Sequence, residues 1–433
     1  MGVMRVNRRA TYEPLTTDSG VRERILRDLD QKHGVPLSIP DEYPDRGNTI
    51  LQKVLSYVNS DAENPVLLEP SPLKTKKVLE DMLVVLCYYG TDTSRLEAAK
   101  RCMDELLTMN PLPRVCLMEA SVDGQYRLNH LASNPDVFYQ YIDCTAPSFR
   151  NFFLKETLWN VAANSALAAF PLIRKLVFLD IDTVYVDKYS FSEVSRALDT
   201  YDVISPMSHC YYTGSSKEAK TYKLMPSTGQ KAKMNSKHAG WQGFGLGMTI
   251  GFFDYIHREL PCCSVGFGDC LFWWLLLNRT VMRNCVRIPY DRRALLRYAY
   301  RSGIRVGAPN TILQHLDHGS LAERQYGVKC RLIQRAIKEP FSDMARVGST
   351  HLFQWADNEE TNCLRVCLEN LIISNRNDVK LTTEKDGDEL FDYLTGYSPR
   401  PPEKFKPDVF TLHGNIMPFD KVAQQGMDNT SKI

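Results

Sequence analysis

The sequence lacks the features by which several classes of protein are recognised. Its longest apolar runs, such as the one from Cys270 to Leu277, are far too short to span a bilayer. The basic N-terminus is not followed by an apolar segment, so we expect no secretory signal. The twelve cysteines include no pair of C-x-x-C motifs, which argues against a structural zinc site. We therefore expect reduced thiols and a cytoplasmic or nuclear location.

The overall charge names no partner, because the formal net charge of the 433 residues is only +2. A hydrophobic content of 43% and a charged content of 24% are ordinary for a globular protein. The charge is nevertheless uneven. One basic segment runs from Lys217 to Lys237 and a second from Arg279 to Arg305, each with a single acidic residue. Each could face a polyanion or could be an ordinary solvated surface.

The most informative stretch is Lys175-Leu-Val-Phe-Leu-Asp180-Ile-Asp182. Its apolar residues predict a short buried strand, and two carboxylates follow on alternate positions. In an extended chain such side chains point to the same side, so Asp180 and Asp182 could meet one divalent cation. Oxygen ligands suit Mg²⁺ or Mn²⁺, which commonly complete their shells with phosphates. The alternative is that the two acids cap the following turn.

Earlier segments predict a parallel sheet. Apolar runs indicate strands over 78–87 and 114–118, and helical spacing predicts a helix over 95–107 with Thr93 or Ser94 as its cap. A strand, a helix and a second strand in this order place a ligand crevice at the carboxyl ends of the strands.

Polar residues near those ends could bind a ligand. Tyr88, Thr91 and Glu119 would lie along the crevice, where a ring can stack on a nucleobase and a carboxylate can accept from a ribose hydroxyl. Loop side chains that simply face water are an equal alternative. A later helical run, Lys155-Glu-Thr-Leu-Trp-Asn160, presents Lys155, which could neutralise a diphosphate or be a solvated helix charge.

Three further segments carry candidate residues. Gly240-Trp241-Gln-Gly-Phe-Gly-Leu-Gly247 is rich in glycine, which permits close approach of the backbone to a ligand but also occurs in bulged strands. Asp269 precedes an apolar helix, where it could cap the helix or act as a general base. His315 and His318 follow a predicted strand over 311–313, and one could bind a metal while the other orients it.

Together and in this order, these motifs resemble the nucleotide-sugar glycosyltransferases of the GT-A fold, over residues 78–335. The motifs that carry the resemblance are Lys155-Glu-Thr-Leu-Trp-Asn160, Leu179-Asp180-Ile-Asp182, Gly243-Phe-Gly-Leu-Gly247, Gly266-Phe-Gly-Asp269, His315-Leu-Asp-His318-Gly319 and Arg324-Gln-Tyr326. They look like a subgroup of phage, bacterial and protist enzymes that includes the base J glucosyltransferase of hydroxymethylated DNA. The resemblance implies an α/β fold with a mixed, mainly parallel sheet flanked by helices. We expect an accessory region over 1–75, a catalytic domain over 76–335 and a C-terminal region over 336–433.

The resemblance also implies roles. Asp180 and Asp182, with His318, would hold Mn²⁺ or Mg²⁺ on the donor, and Asp269 would be the catalytic base. The implied donor-binding residues are Tyr88, Thr91, Glu119, Lys155, Asn160, Asp180 and His315, and the implied acceptor-binding residues are Trp241, Gly247, Arg292 and Arg293. The chain departs from many relatives in carrying Gly268, not glutamate, before Asp269.

The implied activity is transfer of glucose or another hexose from a UDP-sugar to an acceptor hydroxyl. The two basic segments favour a hydroxymethylated base in DNA as the acceptor. The alternatives are a protein or glycan acceptor, or a catalytically inactive GT-A scaffold that only binds.

Overall fold

A computed structural model describes residues 78–215, 220–233, 240, 242–266, 268–277, 303–316, 325–337, 342–376 and 384–394. The predicted accessory region over 1–75 lies outside these residues. No helix within the described ranges is both long and apolar enough to cross a membrane. The ten cysteines among the described residues are free thiols.

A mainly parallel sheet forms the centre of the described part of the chain. The strands are β1 (Val78–Tyr89), β2 (Leu112–Ser121), β3 (Val137–Asp143), β4 (Lys175–Leu179), β5 (Thr183–Tyr185), β6 (Val203–Ile204), β7 (His209–Ser215), β8 (Lys220–Pro226), β9 (Gly245–Thr249), β10 (Val306–Gly307), β11 (Ile312–His315), β12 (Met344–Arg346) and β13 (Phe353–Trp355). Seven of these described strands pair in the order β10-β6-β9-β4-β1-β2-β3. All pairings are parallel except those of β9 with β4 and β6.

Helices cover both faces of the sheet. They are α1 (Thr93–Leu107), α2 (Lys155–Ala169), α3 (Ser190–Thr200), α4 (Thr228–Lys233), α5 (Ile250–Tyr255), α6 (Gly268–Leu276), α7 (Tyr326–Ala336), α8 (Glu359–Arg376) and α9 (Glu384–Leu394). Alternate residues of β1 enter opposite cores, as the strand pleat requires. Val85 packs with α2 and α6 on one face, and Val84 packs with α1 and α3 on the other. The prediction of a mixed, mainly parallel sheet flanked by helices is confirmed.

The start of α1 differs from the prediction. Asp92, and neither Thr93 nor Ser94, is its N-cap, and the Asp92 carboxylate accepts a hydrogen bond from the Arg95 N–H at 3.0 Å. The Ser94 hydroxyl donates to the same carboxylate. The charged acceptor takes the cap because it satisfies both donors.

The segment from Thr213 to His238, which includes the first basic segment, contains regular structure. Its first residues complete β7, which pairs with β8 in an antiparallel hairpin, and α4 follows. The hairpin extends a second sheet, ordered β5-β11-β7-β8 within the described residues. Strand pairing satisfies the backbone groups of this polar sequence, which composition alone did not indicate.

The C-terminal region packs against α2 and α7. The Thr157 hydroxyl of α2 donates to His351 O at 2.9 Å and accepts from Phe353 N at 2.7 Å, which joins α2 to the hairpin of β12 and β13. In α7, Arg331 and Arg335 both bind Asp388 of α9 at 2.9 Å. The proposed domain division at residue 335 therefore stays a prediction, since one apolar core includes residues from both sides of it.

Candidate active site

The D-x-D motif lies in a tight turn between β4 and β5. All five residues of β4 are buried, and the turn begins directly after Leu179. The Thr183 N–H and hydroxyl both donate to Asp180 O, at 3.2 and 2.7 Å, and close the turn. The expectation of an extended chain from Asp180 to Asp182 is therefore wrong. The two carboxylates instead reach different neighbours.

Asp180 belongs to a cluster centred on the Lys155 ammonium. Lys155 Nζ lies 3.1 Å from Asp180 Oδ1, 2.9 Å from Asp269 Oδ2 and 3.8 Å from Glu156 Oε1. The ammonium also stands 4.9 Å from the centre of the Trp159 ring, a cation–π contact. Burial alone would lower the pKa of Lys155, but Asp180 and Asp269, with Glu156, hold it well above its usual value. The lysine is therefore a fixed positive charge and no longer a candidate for a solvated helix residue.

Asp269 lies in the first turn of α6, which begins two residues earlier than expected. One carboxylate oxygen accepts from Cys270 N at 2.6 Å, and the other accepts from Lys155. The side chain keeps 12% of its surface exposed, so the carboxylate is accessible from one side. A partly exposed carboxylate held in one orientation can act as a general base.

Asp182 faces His315 at the end of β11. Asp182 Oδ2 lies 3.9 Å from His315 Nε2, and Leu316 N donates to Asp182 O at 2.7 Å. The imidazole is buried and its ring centre is 5.0 Å from that of Phe244. Phe244 N in turn donates to Asp180 Oδ2 at 3.2 Å. Phe244 therefore contacts both Asp180 and His315, the neighbour of Asp182.

The chemistry of these donors fits a hard divalent cation, because two partly exposed carboxylates and an imidazole stand at one edge of the sheet. Asp180 and Asp182 keep 18% and 17% of their side-chain surface exposed. The described residues contain no group of three His, Cys, Asp or Glu side chains arranged to hold a metal. Any metal ligands beyond Asp180 and Asp182 would therefore come from a substrate or from residues outside the described ranges, where His318 lies.

Three residues expected to bind the donor fall into different environments. Tyr88 is buried at the end of β1, and burial raises the pKa of its hydroxyl. Thr91 is exposed in the loop that follows. The Glu119 carboxylate is buried and accepts from Arg127 N, Leu128 N and the Tyr139 hydroxyl, so it organises the loop after β2. These contacts explain Glu119 without a ligand, and its donor-binding role stays a prediction.

Asn160 is fully buried in α2 and holds another part of the chain. Its side-chain oxygen accepts from Leu260 N at 2.7 Å, and its amide donates to Leu260 O at 3.0 Å. This pair of bonds fixes the loop that leads to α6 and Asp269. Asn160 therefore supports the segment that carries Asp269. Its donor-binding role stays a prediction.

The acceptor-side predictions are mostly outside the described residues. Trp241, Arg292, Arg293 and His318 lie outside them. Gly247 lies in β9 at the centre of the sheet, where an added Cβ would be 2.7 Å from Ile204 Cγ1. Close strand packing thus explains this glycine. Arg305, at the end of the second basic segment, binds the buried carboxylate of Asp202 at 3.2 Å.

Sequence analysis missed Glu156, the third carboxyl group near Lys155. Only 1% of it is exposed, and neither of its carboxyl oxygens receives a hydrogen bond from the described residues. Burial raises its pKa to about 8, against the opposing effect of Lys155. The signal available in the sequence was an acid within the buried helical run Glu156-Thr-Leu-Trp-Asn160.

No family model and no curated protein matches the sequence. Two solved structures show some similarity in fold. One is a mannosyltransferase from Pyrobaculum calidifontis in complex with GDP-Man and Mn²⁺, 11% identical, with a TM-score of 0.34 over 73% of this chain and 74% of that chain. The other is TarS 1-349 of S. aureus, 10% identical, with a TM-score of 0.34 over 72% of this chain and 80% of that one. These scores are too low to support a function.

Proposed function

We propose that this protein is a metal-dependent glycosyltransferase that moves a hexosyl group from a UDP-sugar to an acceptor hydroxyl. The observation that carries the proposal is the Lys155 ammonium, held within 3.1 Å of both Asp180 and Asp269. Three separate elements deliver these residues to one edge of a mainly parallel sheet. Transfer from a nucleotide sugar needs positive charge beside the leaving group and a base beside the acceptor. This cluster supplies both in one small volume.

Asp180 and Asp182 would hold the Mn²⁺ or Mg²⁺ ion. When bound, such an ion offsets the negative charge that develops on the departing diphosphate. The two carboxylates remain partly exposed, and His315 supports Asp182 from within the protein. His318 is proposed as a further ligand on the strength of the sequence alone.

Lys155 would act on the leaving group and Asp269 on the acceptor, and their 2.9 Å ion pair would have to open in the transfer complex. The ammonium stabilises the diphosphate as the bond from the anomeric carbon to the leaving oxygen breaks and that oxygen keeps the electron pair. The acceptor oxygen forms the new bond to the same carbon, and its proton passes to Asp269. The contact with Cys270 N orients the Asp269 carboxylate for this transfer.

Two variants separate these roles. Asp269→Asn should lower turnover by roughly 10²- to 10⁴-fold, the usual contribution of a positioned base, while donor binding survives. Asp182→Ala should lose Mn²⁺-dependent donor binding. The assays are release of UDP from a panel of UDP-sugars and calorimetric titration of UDP with Mn²⁺. Asp104→Asn is the matched control, since Asp104 is exposed on α1 away from the cluster. Equal loss of donor binding in both site variants would show that the division of roles is wrong.

For the acceptor, we propose a hydroxymethylated base in DNA, supported by the basic segments over 217–237 and 279–305. These segments could follow a phosphate backbone, so binding should weaken steeply as salt rises. The test is a mobility shift of hydroxymethylated and unmodified DNA at two salt concentrations. Absent or salt-insensitive binding would remove DNA and leave a protein or glycan hydroxyl as the acceptor.

A further inference from the structure

Glu156 is placed inside the candidate site although nothing above gives it a role in transfer. It neighbours Lys155 in α2, and its carboxyl lies 3.8 Å from the Lys155 ammonium that also binds Asp180 and Asp269. The side chain is almost completely buried. A buried carboxyl without a hydrogen-bond donor is costly, so its presence requires an explanation.

Gly268 provides the space that this carboxyl occupies. An added Cβ at Gly268 would lie 2.4 Å from Glu156 Cδ and 2.5 Å from its Cγ, distances that real atoms do not adopt. Only glycine at this position admits the Glu156 side chain. Because Gly268 immediately precedes Asp269, the Glu156 carboxyl packs directly against the turn that carries the proposed base.

We propose that Glu156 is a positioning residue of the transfer site, whose carboxyl fills the space left by Gly268 and keeps the Lys155 ammonium between Asp180 and Asp269. This inference rests on the proposed function for its effect on transfer. It does not depend on that function for its effect on the position of Lys155.

The Lys155 ammonium has Asp180 and Asp269 as its close acceptors, and the Glu156 carboxyl fills the space beside it. Without that carboxyl the ammonium would be free to shift, and a change in its distance from Asp269 alters how readily that carboxylate takes a proton. Glutamine should substitute well for glutamate here. It retains the shape and a side-chain oxygen, and the raised pKa of about 8 means that the glutamate is mainly neutral near pH 7.

The kinetic experiment compares Glu156→Ala, Glu156→Gln and the control Thr157→Val. Thr157 is equally buried in the same helix, but its hydroxyl binds the C-terminal hairpin and not the cluster. We expect kcat to fall roughly 10- to 100-fold in Glu156→Ala, because small misplacements of catalytic groups cost this much. Donor KM should change less than about 3-fold, as expected when ground-state binding is kept. Glu156→Gln and Thr157→Val should keep kcat within about 3-fold of the original protein. An unchanged kcat in Glu156→Ala, or equal losses in the alanine and glutamine variants, would overturn the proposal.

A second measurement reports the position of the Lys155 ammonium and needs no catalytic turnover. The centre of the Trp159 ring lies 4.9 Å from Lys155 Nζ. Labelling the five tryptophans with 5-fluorotryptophan gives ¹⁹F signals, and the Trp159→Phe variant identifies the signal of Trp159. Lys155→Met calibrates the response of this signal to loss of the charge. Glu156→Ala should shift it, and Thr157→Val should not. No shift in Glu156→Ala would overturn the positioning role. Absence of transfer from every UDP-sugar would instead refute the proposed function, while the fluorine result still decides where Lys155 lies.

Discussion

Replacing Glu156 by glutamine should make the stability of the protein less dependent on pH. The pKa of the carboxyl is about 8 in the folded protein, against 4.5 for an ordinary glutamate, because burial disfavours its charged form. Between these two values the folded state holds a proton that the unfolded state has lost. Unfolding then releases the proton, so the free energy of unfolding falls as pH rises. Below the lower value both states are protonated, and above the higher one both are ionised.

The size of the effect follows from this linkage. One proton corresponds to about 1.4 kcal/mol for each pH unit, or roughly 2–3 kcal/mol between about pH 5.5 and about pH 7.5. Urea denaturation of the original protein and of Glu156→Gln across this range measures it. The difference in the free energy of unfolding between the two should grow with pH in favour of glutamine. Lys155, Asp180 and Asp269 face the same position in both proteins, so their own titration largely cancels. A difference that is independent of pH would refute the assignment of a protonated Glu156.

Three further substitutions test the contacts around the cluster by urea denaturation. Lys155→Met should cost about 2–4 kcal/mol, because it leaves the partly buried carboxylates of Asp180 and Asp269 without their shared cation. Gly268→Ala should cost about 1–3 kcal/mol, since the new methyl group overlaps Glu156 and Pro261 O. Asn160→Ala should cost about 1–3 kcal/mol, because Leu260 N loses its acceptor and Leu260 O keeps the weak Cys262 thiol donor at 3.5 Å. For each variant, a loss of less than about 0.5 kcal/mol in the free energy of unfolding, the usual effect of a surface substitution, would contradict the contact that it tests.

Sequence patterns predicted the elements that depend on short-range order. The buried runs of β1, β2 and β4 are apolar on both faces, which only a covered parallel sheet requires, and each strand appears where it was expected. The hairpin of β7 and β8 was missed. Its sequence is polar, and its backbone groups are satisfied by strands that pair across the second sheet.

For the D-x-D motif, the sequence predicted an extended geometry that the structure does not have. Alternation along a strand suggested that Asp180 and Asp182 face the same way. Hydrogen bonds from Thr183 instead close a turn between them. A local pattern could not show this, because the turn is fixed by the antiparallel pairing of β5 with β11, more than a hundred residues later.

Glu156 was missed for a related reason. A lysine and a glutamate side by side on a helix suggest a solvated face, and Lys155 alone was considered as a ligand for phosphate. The position of Glu156 becomes understandable only when Gly268, from a distant segment, is seen to leave room for it. Gly268 stands at the start of α6 where an acidic residue was expected, and Glu156 of α2 fills the space that it leaves. The two residues therefore form one packing arrangement.

The charges of the cluster also bear on why a cation would be needed. One ammonium, that of Lys155, faces the carboxyl groups of Asp180 and Asp269, and Asp182 adds a further acid nearby. A bound diphosphate would bring negative charge into this acidic, partly buried volume, where repulsion is poorly screened. On the proposed function, a metal ion held by Asp180 and Asp182 would supply further positive charge beside Lys155, so we expect a chelator to weaken donor binding.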